Sequence, residues 1–178
     1  ARTAVQSQSL IRAVVDAAAL RHNLRQVRRV APDSRVMAVI KANAYGHGLL
    51  PAARALAEAD GFAVARIGEG LALRAAGLTN RILLLEGVFS AEQLAAAAQA
   101  RFALMVHSVE QLELLDALTG DAQVTAWIKV DSGMNRLGFR LDDFSAAYER
   151  LRRNVHVHAE PTLVTHLASA DDRRDPQT

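Results

Sequence analysis

The sequence predicts an α/β fold with a parallel sheet, and three observations support this. Six short apolar runs typical of buried strands recur along the chain, helical patterns separate them, and successive runs begin 20 to 38 residues apart. This spacing is typical of strand–helix units. A doubly wound open sheet is complete with six strands, whereas a (β/α)8 barrel needs eight and about 250 residues. A barrel would therefore be incomplete in these 178 residues.

The first predicted element is a helix that follows the stretch "IRAVVD". Leu20, Leu24 and Val27 recur at positions i, i+4 and i+7, so they define one apolar face, and Asp16 is placed to cap the helix. The six predicted strands come next, interleaved with helices. They span 36–40, 62–65, 82–86, 102–106, 124–130 and 162–166.

Three later segments have helical patterns. "SAEQLAAAAQA" (90–100) and "SVEQLELLDAL" (108–118) both begin with Ser followed three residues later by Gln, the spacing of a capping box. In "DDFSAAYERL" (142–151), Phe144, Tyr148 and Leu151 fall on one face. We therefore predict helices in all three segments.

Composition excludes several classes of function. With 51% hydrophobic and 22% charged residues, the chain is expected to fold as a globular protein. The net charge is only +2. The basic residues that cluster within the shortest stretch are Arg150, Arg152 and Arg153. They lie on a predicted helix, where we expect them to form a face exposed to solvent. Nucleic acid is therefore not an expected partner.

The compartment is predicted from what the sequence lacks. Without cysteine, neither a disulfide framework nor a thiolate metal site can form. No apolar stretch approaches the roughly 20 residues needed to span a bilayer, and the first ten residues do not resemble a signal peptide. "HVH" at 156–158 has alternating spacing that suits a metal, but no third ligand is evident. We expect a cytoplasmic protein with no membrane contact and no metal.

Candidate functional residues lie where the predicted strands end, because parallel α/β folds bind ligands at the carboxyl ends of their strands. Lys41 follows the first strand, the loop "VDSGMNRLGF" (130–139) follows the fifth, and His166 ends the sixth. Taken singly, each has a structural alternative. Lys41 could extend to solvent from a strand end, Arg136 could be a surface cation, and His166 could be a hydrogen-bonded core histidine.

Lysine usage makes Lys41 the strongest of these candidates. Of 21 basic residues, only Lys41 and Lys129 are lysines. A desolvated lysine amine can lose its proton and form a Schiff base with a carbonyl compound, which a guanidinium cannot do. Tyr45 offers an aromatic face and a hydroxyl group, and the small residues at 42, 44, 46 and 48 leave room for a ligand.

Three motifs together resemble the alanine racemase family. "VMAVIKANAYGHG" (36–48) looks like its cofactor-lysine motif, "WIKVDSGMNRLGF" (127–139) its substrate-carboxylate motif, and "VTHLASADD" (164–172) a third motif, in matching order and spacing. Members of this family are pyridoxal-phosphate enzymes with a (β/α)8 barrel and a second, β-rich domain. The resemblance runs from about residue 11 to the end and implies a barrel rather than an open sheet.

The resemblance also implies a role for each matching residue. Lys41 would hold pyridoxal 5′-phosphate covalently and, once displaced by the substrate, would act as the base on one face. Tyr45 would contact the phosphate, and His166 would pack beside the pyridine ring. Arg136 would bind the substrate carboxylate. Lys129 would lie beside Arg136, and in some family members the equivalent lysine is carbamylated.

Other implications concern the substrate and the rest of the enzyme. Met134 and Asn135, just before the arginine, would also bind the small amino-acid substrate. Barrel strands seven and eight and the β domain, which supplies the opposing tyrosine base across a dimer interface, have no counterpart here. We therefore expect residues 1–178 to form the N-terminal part of a pyridoxal-phosphate-binding barrel, in an enzyme that is a homodimer at full length.

The implied activity is that of an isomerase that interconverts L-alanine and D-alanine, either to supply D-alanine for peptidoglycan or to catabolise alanine. The main alternative is a non-catalytic barrel protein that binds pyridoxal phosphate for cofactor homeostasis. Such a protein is not expected to carry the "MNRLGF" motif. An amino-acid decarboxylase would be a much longer chain with different motifs, and a βα domain without a ligand does not explain the Lys41 loop.

Overall fold

The structure is a computed structural model that describes residues 13–172 and 174–175. Six strands alternate with helices. The strands are β1 Met37–Val39, β2 Gly61–Val64, β3 Arg81–Leu84, β4 Ala103–Val106, β5 Thr125–Lys129 and β6 Thr162–Val164. The helical segments are α1 Ala17–Val30, α2 Lys41–Tyr45, α3 Leu49–Ala55, α4 Ile67–Ala75, α5 Ala91–Gln99, α6 Val109–Asp116 and α7 Leu141–Arg153. All six predicted strands are confirmed, with ends that shift by at most two residues.

Strand order decides between the two predicted architectures. The strands form one parallel sheet in the order β1-β2-β3-β4-β5-β6, so each strand pairs with the strand before it in the chain. A doubly wound sheet reverses its order at a switch point, whereas a (β/α) barrel does not. The fold is therefore an incomplete (β/α) barrel. Among the described residues, β1 and β6 each have one unpaired edge.

Both faces of the sheet are covered with apolar side chains. The outer face packs against the helices through residues such as Phe62, Ile82 and Ile128. Alternate residues point to the inner face, where Ala63, Leu83, Ala103 and Met105 form a second cluster with Met37, Leu85, Trp127 and Val164 at its border. Such two-sided burial explains why the strands are continuous apolar runs rather than alternating ones.

Helix α1 confirms the predicted cap but only part of the predicted face. The Asp16 carboxylate accepts hydrogen bonds from the backbone N–H groups of Ala18 (2.7 Å) and Ala19 (3.3 Å). Leu24 is buried and Leu20 packs against the core. Val27, however, is 49% exposed, so the buried part of the predicted apolar face does not include it. The helix contacts the core through Leu20 and Leu24, and in its last turn Arg28 pairs with Asp60 at 3.6 Å.

The two predicted capping boxes form in a modified way. Ser90 accepts from Gln93 N–H (3.3 Å), but the Gln93 side chain accepts from Phe89 N–H (2.9 Å), one residue before the cap. Gln111 likewise accepts from His107 N–H (2.9 Å), while Ser108 makes no capping bond with its side chain. The glutamines therefore hold the residue before each cap, because their side chains reach back past the cap itself.

Helix α7 carries the predicted apolar face and the basic cluster. Phe144 and Tyr148 stack with their ring centroids 5.9 Å apart, and Leu151 is buried. The arginines of the cluster pair with carboxylates: Arg150 with Asp116 at 2.6 Å, and Arg152 and Arg153 with Glu149 at 2.9 and 3.3 Å. Within the described residues, no helix is long and apolar enough to cross a bilayer.

Two glycines of α4 give a matched test of packing between the helices and the sheet. A Cβ atom at Gly70 would lie 2.9 Å from two ring carbons of Phe102, whereas one at Gly68 would meet no atom within 4 Å. We expect Gly70→Ala to lower the free energy of unfolding by about 1–3 kcal/mol through overpacking. Gly68→Ala should leave it unchanged or raise it by up to about 1 kcal/mol. Urea unfolding measures both, and equal effects would contradict the packing described.

Candidate functional site

The chain turns in an uncommon way immediately after Lys41. Ala42, Asn43, Ala44 and Tyr45 have φ angles of 52°, 55°, 53° and 54°, so they form a left-handed turn without glycine. This conformation costs L-residues about 1–2 kcal/mol each, and only asparagine among these four adopts it readily. The surrounding structure must therefore compensate for a turn that these side chains disfavour.

Hydrogen bonds on three sides hold this turn. Ala44 N–H donates back to the Ile40 carbonyl at 2.9 Å, which ties the turn to the end of β1. The Asn43 side-chain oxygen accepts from Leu49 N–H at 2.8 Å, which ties the turn to α3. Asn43 N–H donates to a carboxylate oxygen of Glu69 at 3.2 Å, which ties it to α4. Together these bonds fix the backbone on both sides of Lys41.

The turn places its two candidate residues at the carboxyl edge of the sheet. Lys41 follows Ile40, which is buried and donates its N–H to the Ala63 carbonyl on β2 at 2.9 Å. Tyr45 ends the turn with its side chain 61% exposed. The backbone therefore presents the Lys41 amine from a fixed strand end, while the Tyr45 ring faces solvent in this structure.

The second candidate segment is a loop that leaves β5 and returns to it. Phe139 N–H donates to the Lys129 carbonyl (2.9 Å), and Asp131 N–H donates to the Phe139 carbonyl (2.8 Å). Inside the loop, one oxygen of the Asp131 carboxylate accepts from the N–H groups of Gly133 and Asn135, both at 3.0 Å. These bonds fix the backbone of the loop that carries Met134 and Arg136, and they lower the pKa of Asp131.

Asn135 takes part in the loop as a structural residue. Its φ angle is 56°, in the left-handed region that asparagine tolerates. Its side-chain amide donates to the Gly133 carbonyl at 3.0 Å. The side chain proposed from the sequence to bind substrate therefore already has a partner in the loop. Met134 beside it is half-buried.

Hydroxyl groups connect this loop to β6. Ser132 and Thr165 share a hydrogen bond of 2.6 Å between their side-chain oxygens, and the Thr165 hydroxyl donates to the Val130 carbonyl at 3.1 Å. Thr165 immediately precedes His166. The bonds therefore hold the end of β6, and the histidine that follows it, against the loop after β5.

Lys129 is the buried cation of the site. It is only 9% exposed and its side chain follows the same alternation as Trp127, toward the inner face of the sheet. Burial lowers the pKa of its amine, and the nearby positive charges of Arg136 and Lys41 lower it further. Among the described residues, only one carboxylate, that of Asp131, opposes this shift.

His166 lies in the same positive environment. Partial desolvation lowers the pKa of its imidazole, and the charges of Lys129, Arg136 and Lys41 act in the same direction. The structure thus brings four of the seven candidate residues together at one edge of the sheet. Tyr45, Met134 and Asn135 are placed beside them by the two loops.

The three cations Lys41, Lys129 and Arg136, with His166 beside them, suit a ligand with more than one negative group. Lys41, Lys129, Arg136 and His166 come from three strand ends and the loops that follow them, and Asp131 is the carboxylate that acts on Lys129. Charge-assisted hydrogen bonds to phosphate or carboxylate oxygens would offset the mutual repulsion of these side chains. The site is therefore chemically matched to a phosphate, a carboxylate or both.

Three residues of the site were not found from the sequence. Asp131 could have been found, because Asp before Ser-Gly is a common start of a turn in which the side chain caps nearby N–H groups. Asn43 and Glu69 have no local signal, since their contact joins residues 26 positions apart. Their contact depends on how α4, which packs against β2 and α3, reaches the turn after β1.

Three other histidines bond to backbone carbonyls. A ring nitrogen of His47 lies 2.9 Å from the Ala44 carbonyl oxygen, one of His107 3.1 Å from that of Glu86, and one of His156 2.9 Å from that of Ala122. Over residues 13–172 and 174–175, no group of three histidine or carboxylate side chains is placed to hold a metal ion.

Comparison with known proteins gives consistent results. The family model described as "Alanine racemase, N-terminal domain" matches residues 15–178. An alanine racemase of Shewanella loihica is 47% identical over 167 residues, which cover 94% of this chain and 47% of that protein. One of Yersinia pestis is 51% identical over 160 residues, covering 90% of this chain and 45% of that protein.

Solved structures agree with these relatives. The biosynthetic alanine racemase of Pseudomonas aeruginosa superposes with a TM-score of 0.87 at 44% identity, covering 92% of this chain and 46% of that one. A histidine racemase of Leuconostoc mesenteroides superposes with a TM-score of 0.79 at 28% identity, covering 90% and 44%. This chain spans less than half the length of each of these proteins.

The lowered pKa of Lys129 can be measured by its reaction with acetic anhydride, since only the neutral amine reacts. We expect the labelling rate of Lys129, followed by mass spectrometry, to reach half its maximum at a pH below the ordinary lysine value of about 10.4. Arg136→Ala should move that midpoint upward, because it removes a neighbouring positive charge.

Arg140→Ala provides the matched control for this experiment. Arg140 is an exposed arginine at the end of the same loop, and it does not contribute to the shift at Lys129. Its removal should leave the midpoint where it is. A midpoint at or above the ordinary lysine value in the wild-type protein would contradict the electrostatic description.

Proposed function

This chain belongs to the alanine racemase family, and from that premise we propose that it provides the cofactor site of a pyridoxal-phosphate-dependent enzyme that interconverts L-alanine and D-alanine. One observation carries the proposal. Lys41, Lys129, Arg136 and His166 meet at the carboxyl edge of the sheet, in an environment where positive charges dominate. We assign alanine as the substrate because relatives that are 47% and 51% identical are alanine racemases, whereas the histidine racemase is 28% identical.

The residues present fit the cofactor. Pyridoxal phosphate combines an aldehyde, which a lysine amine can bind covalently, with a phosphate group that needs cationic or N–H partners. Lys41 supplies the amine from a strand end whose backbone is fixed on both sides. Tyr45, exposed at the end of the same turn, would contact the phosphate, and His166 would pack beside the ring.

The substrate is bound by the loop after β5. The Arg136 guanidinium would bind the amino-acid carboxylate through its planar pair of donors. Met134 and Asn135 would line the same position, held there by the bonds that Asp131 makes inside the loop. The fixed backbone of the loop orients the arginine before substrate arrives, which lowers the entropic cost of binding.

Proton transfer at the α-carbon is the chemical step. Pyridoxal phosphate, when bound, delocalises the electron pair left on the α-carbon after its proton has been removed. Lys41, once the substrate amino group has displaced its amine from the cofactor, would take the proton from one face of the substrate or return it to that face. A second acid–base group must act on the opposite face, because racemisation requires the proton to leave one side and return on the other.

Lys129 is proposed to support Arg136. The two cations repel each other, as the lowered pKa of Lys129 indicates. A lysine with a lowered pKa has a larger fraction of neutral amine at a given pH, and the neutral amine is the form that reacts with carbon dioxide. A carbamate on Lys129 would replace the repulsion by an ion pair that orients the guanidinium.

We propose that the rest of the active site lies outside residues 1–178. The unpaired edges of β1 and β6 and the exposed Leu163 of β6 are suited to pairing and packing with further strand–helix units. The remainder of the barrel and a β domain would complete the enzyme, and a homodimer would bring in the second base. The activity is assigned to the cytoplasm, in D-alanine supply for peptidoglycan or in alanine catabolism.

Lys41→Ala in the full-length polypeptide tests the central assignment. Borohydride reduction after addition of pyridoxal phosphate should fix the cofactor on Lys41 in the wild type, detected as a mass adduct, and no adduct should form in the variant. Racemisation of L-alanine should fall by about 10²–10⁴-fold, the usual contribution of a catalytic base.

Lys129→Arg is the matched control, because it leaves Lys41 as the one lysine in residues 1–178. The reduced adduct should still form at Lys41 in this variant. Adduct formation without racemisation of alanine in the wild type would favour the cofactor-homeostasis alternative. Racemisation of histidine in preference to alanine would overturn the substrate assignment, and an unchanged adduct in Lys41→Ala would overturn the role of Lys41.

Arg136→Lys tests carboxylate recognition separately. A lysine keeps the charge but loses the planar pair of donors, so one charge-assisted hydrogen bond worth about 1.5–3 kcal/mol is removed. We expect KM for alanine to rise by about 10–100-fold, with a smaller change in kcat. Steady-state kinetics measure both. A large fall in kcat at constant KM would mean that the arginine acts in the chemical step rather than in binding.

A further inference from the structure

One carboxylate connects the Lys41 turn to a neighbouring helix. Glu69 is the third residue of α4. One of its oxygens accepts hydrogen bonds from the N–H groups of Ala65 (3.0 Å) and Arg66 (3.3 Å), which caps the helix. Its other oxygen accepts from Asn43 N–H at 3.2 Å, in the left-handed turn. A single side chain therefore accepts hydrogen bonds both from the start of α4 and from the turn after Lys41.

The next two helices show what the cap itself requires, although the Gln111 amide also donates to the carbonyls of Glu86 and Val88. Gln93 and Gln111 are the third residues of α5 and α6, and the amide oxygen of each accepts from the N–H of the residue before its cap, at 2.9 Å in both cases. One neutral oxygen is sufficient for this bond. The second oxygen of Glu69 is therefore not needed by α4, and in the structure it is used by the turn.

We propose that Glu69 is a positioning residue for Lys41: with one carboxylate oxygen it holds the left-handed turn that presents the lysine. The inference rests on the proposed function, in which Lys41 binds the cofactor. It assigns no chemical step to Glu69, which acts through the backbone of Asn43.

The need for this bond follows from the conformation of the turn. Alanine at positions 42 and 44 favours a right-handed turn, so the observed left-handed one persists only where tertiary contacts hold it. Ile40 anchors the chain before Lys41 through its bonds to Ala63 and Ala44. Glu69 anchors it two residues after Lys41. Without the Glu69 bond, the bond from Leu49 N–H to the Asn43 side chain is the side-chain anchor that remains after Lys41. The turn can then relax and change the direction in which the lysine leaves the strand.

Glu69→Gln in the full-length polypeptide separates the two roles. By analogy with Gln93 and Gln111, the amide oxygen would keep the cap, and the NH₂ group would then face the N–H of Asn43, where two donors cannot bond. We expect the rate at which Lys41 captures added pyridoxal phosphate, fixed by borohydride and measured by mass spectrometry, to fall about tenfold. Amide hydrogen exchange in segment 42–48 should become faster without cofactor, while Tm changes little.

Two control variants distinguish positioning from loss of stability. Glu69→Ala removes both the cap and the bond to the turn, so it should slow capture as much as Glu69→Gln and lower Tm further. Gln93→Ala removes the corresponding bond at α5 and should lower Tm without slowing capture. If Gln93→Ala slows capture equally, the effect is one of stability and the proposal fails.

The remaining outcomes are also decisive. Capture by Glu69→Gln within twofold of the wild type, or unchanged exchange in segment 42–48, would overturn the positioning role while leaving the proposed function intact. If the wild-type protein captures no cofactor, the proposed function fails, and the link from Glu69 to cofactor binding fails with it. The exchange comparison would still show whether Glu69 holds the turn.

Discussion

Burial of both faces of the parallel sheet is the constraint from which the rest of the structure follows. The outer face packs against helices and the inner face forms its own apolar cluster, so polar side chains have little room along the strands. Reactive groups must therefore lie where the strands end. Lys41, Lys129 and His166 occupy such ends, and the loops that follow β1 and β5 fix the backbone around them.

The same edge combines two unfavourable features, a left-handed turn of residues that disfavour it and a group of cations that repel one another. Both are held by the surrounding structure. The turn is bonded to β1, α3 and α4, and the loop after β5 is fixed by the carboxylate of Asp131. An anionic cofactor and substrate would relieve this repulsion. The repulsion that destabilises the free protein is therefore the same interaction that favours binding of an anion.

Local patterns in the sequence were sufficient to predict those parts of the fold that depend on residues close together in the chain. The six strands, the Asp16 cap and the apolar face of α7 were predicted correctly for this reason. Strand order is a non-local property, and the residues alone left a barrel and an open sheet as alternatives. The conformation of Ala42 contradicts its intrinsic preference, and Glu69 acts across 26 residues, so neither could be derived from local sequence.

The order of the strands has a consequence for how the chain acquires its structure during translation. Paired positions in successive strands are separated by 20 to 35 residues, for example Gly61 and Arg81, or Trp127 and Thr162. At about 5–20 residues per second, a ribosome needs roughly one to several seconds to add each such unit. Secondary structure and loop closure are far faster. Each strand can therefore dock on the one before it while the next is still being made, and the sheet can grow in the direction of synthesis, from β1 to β6.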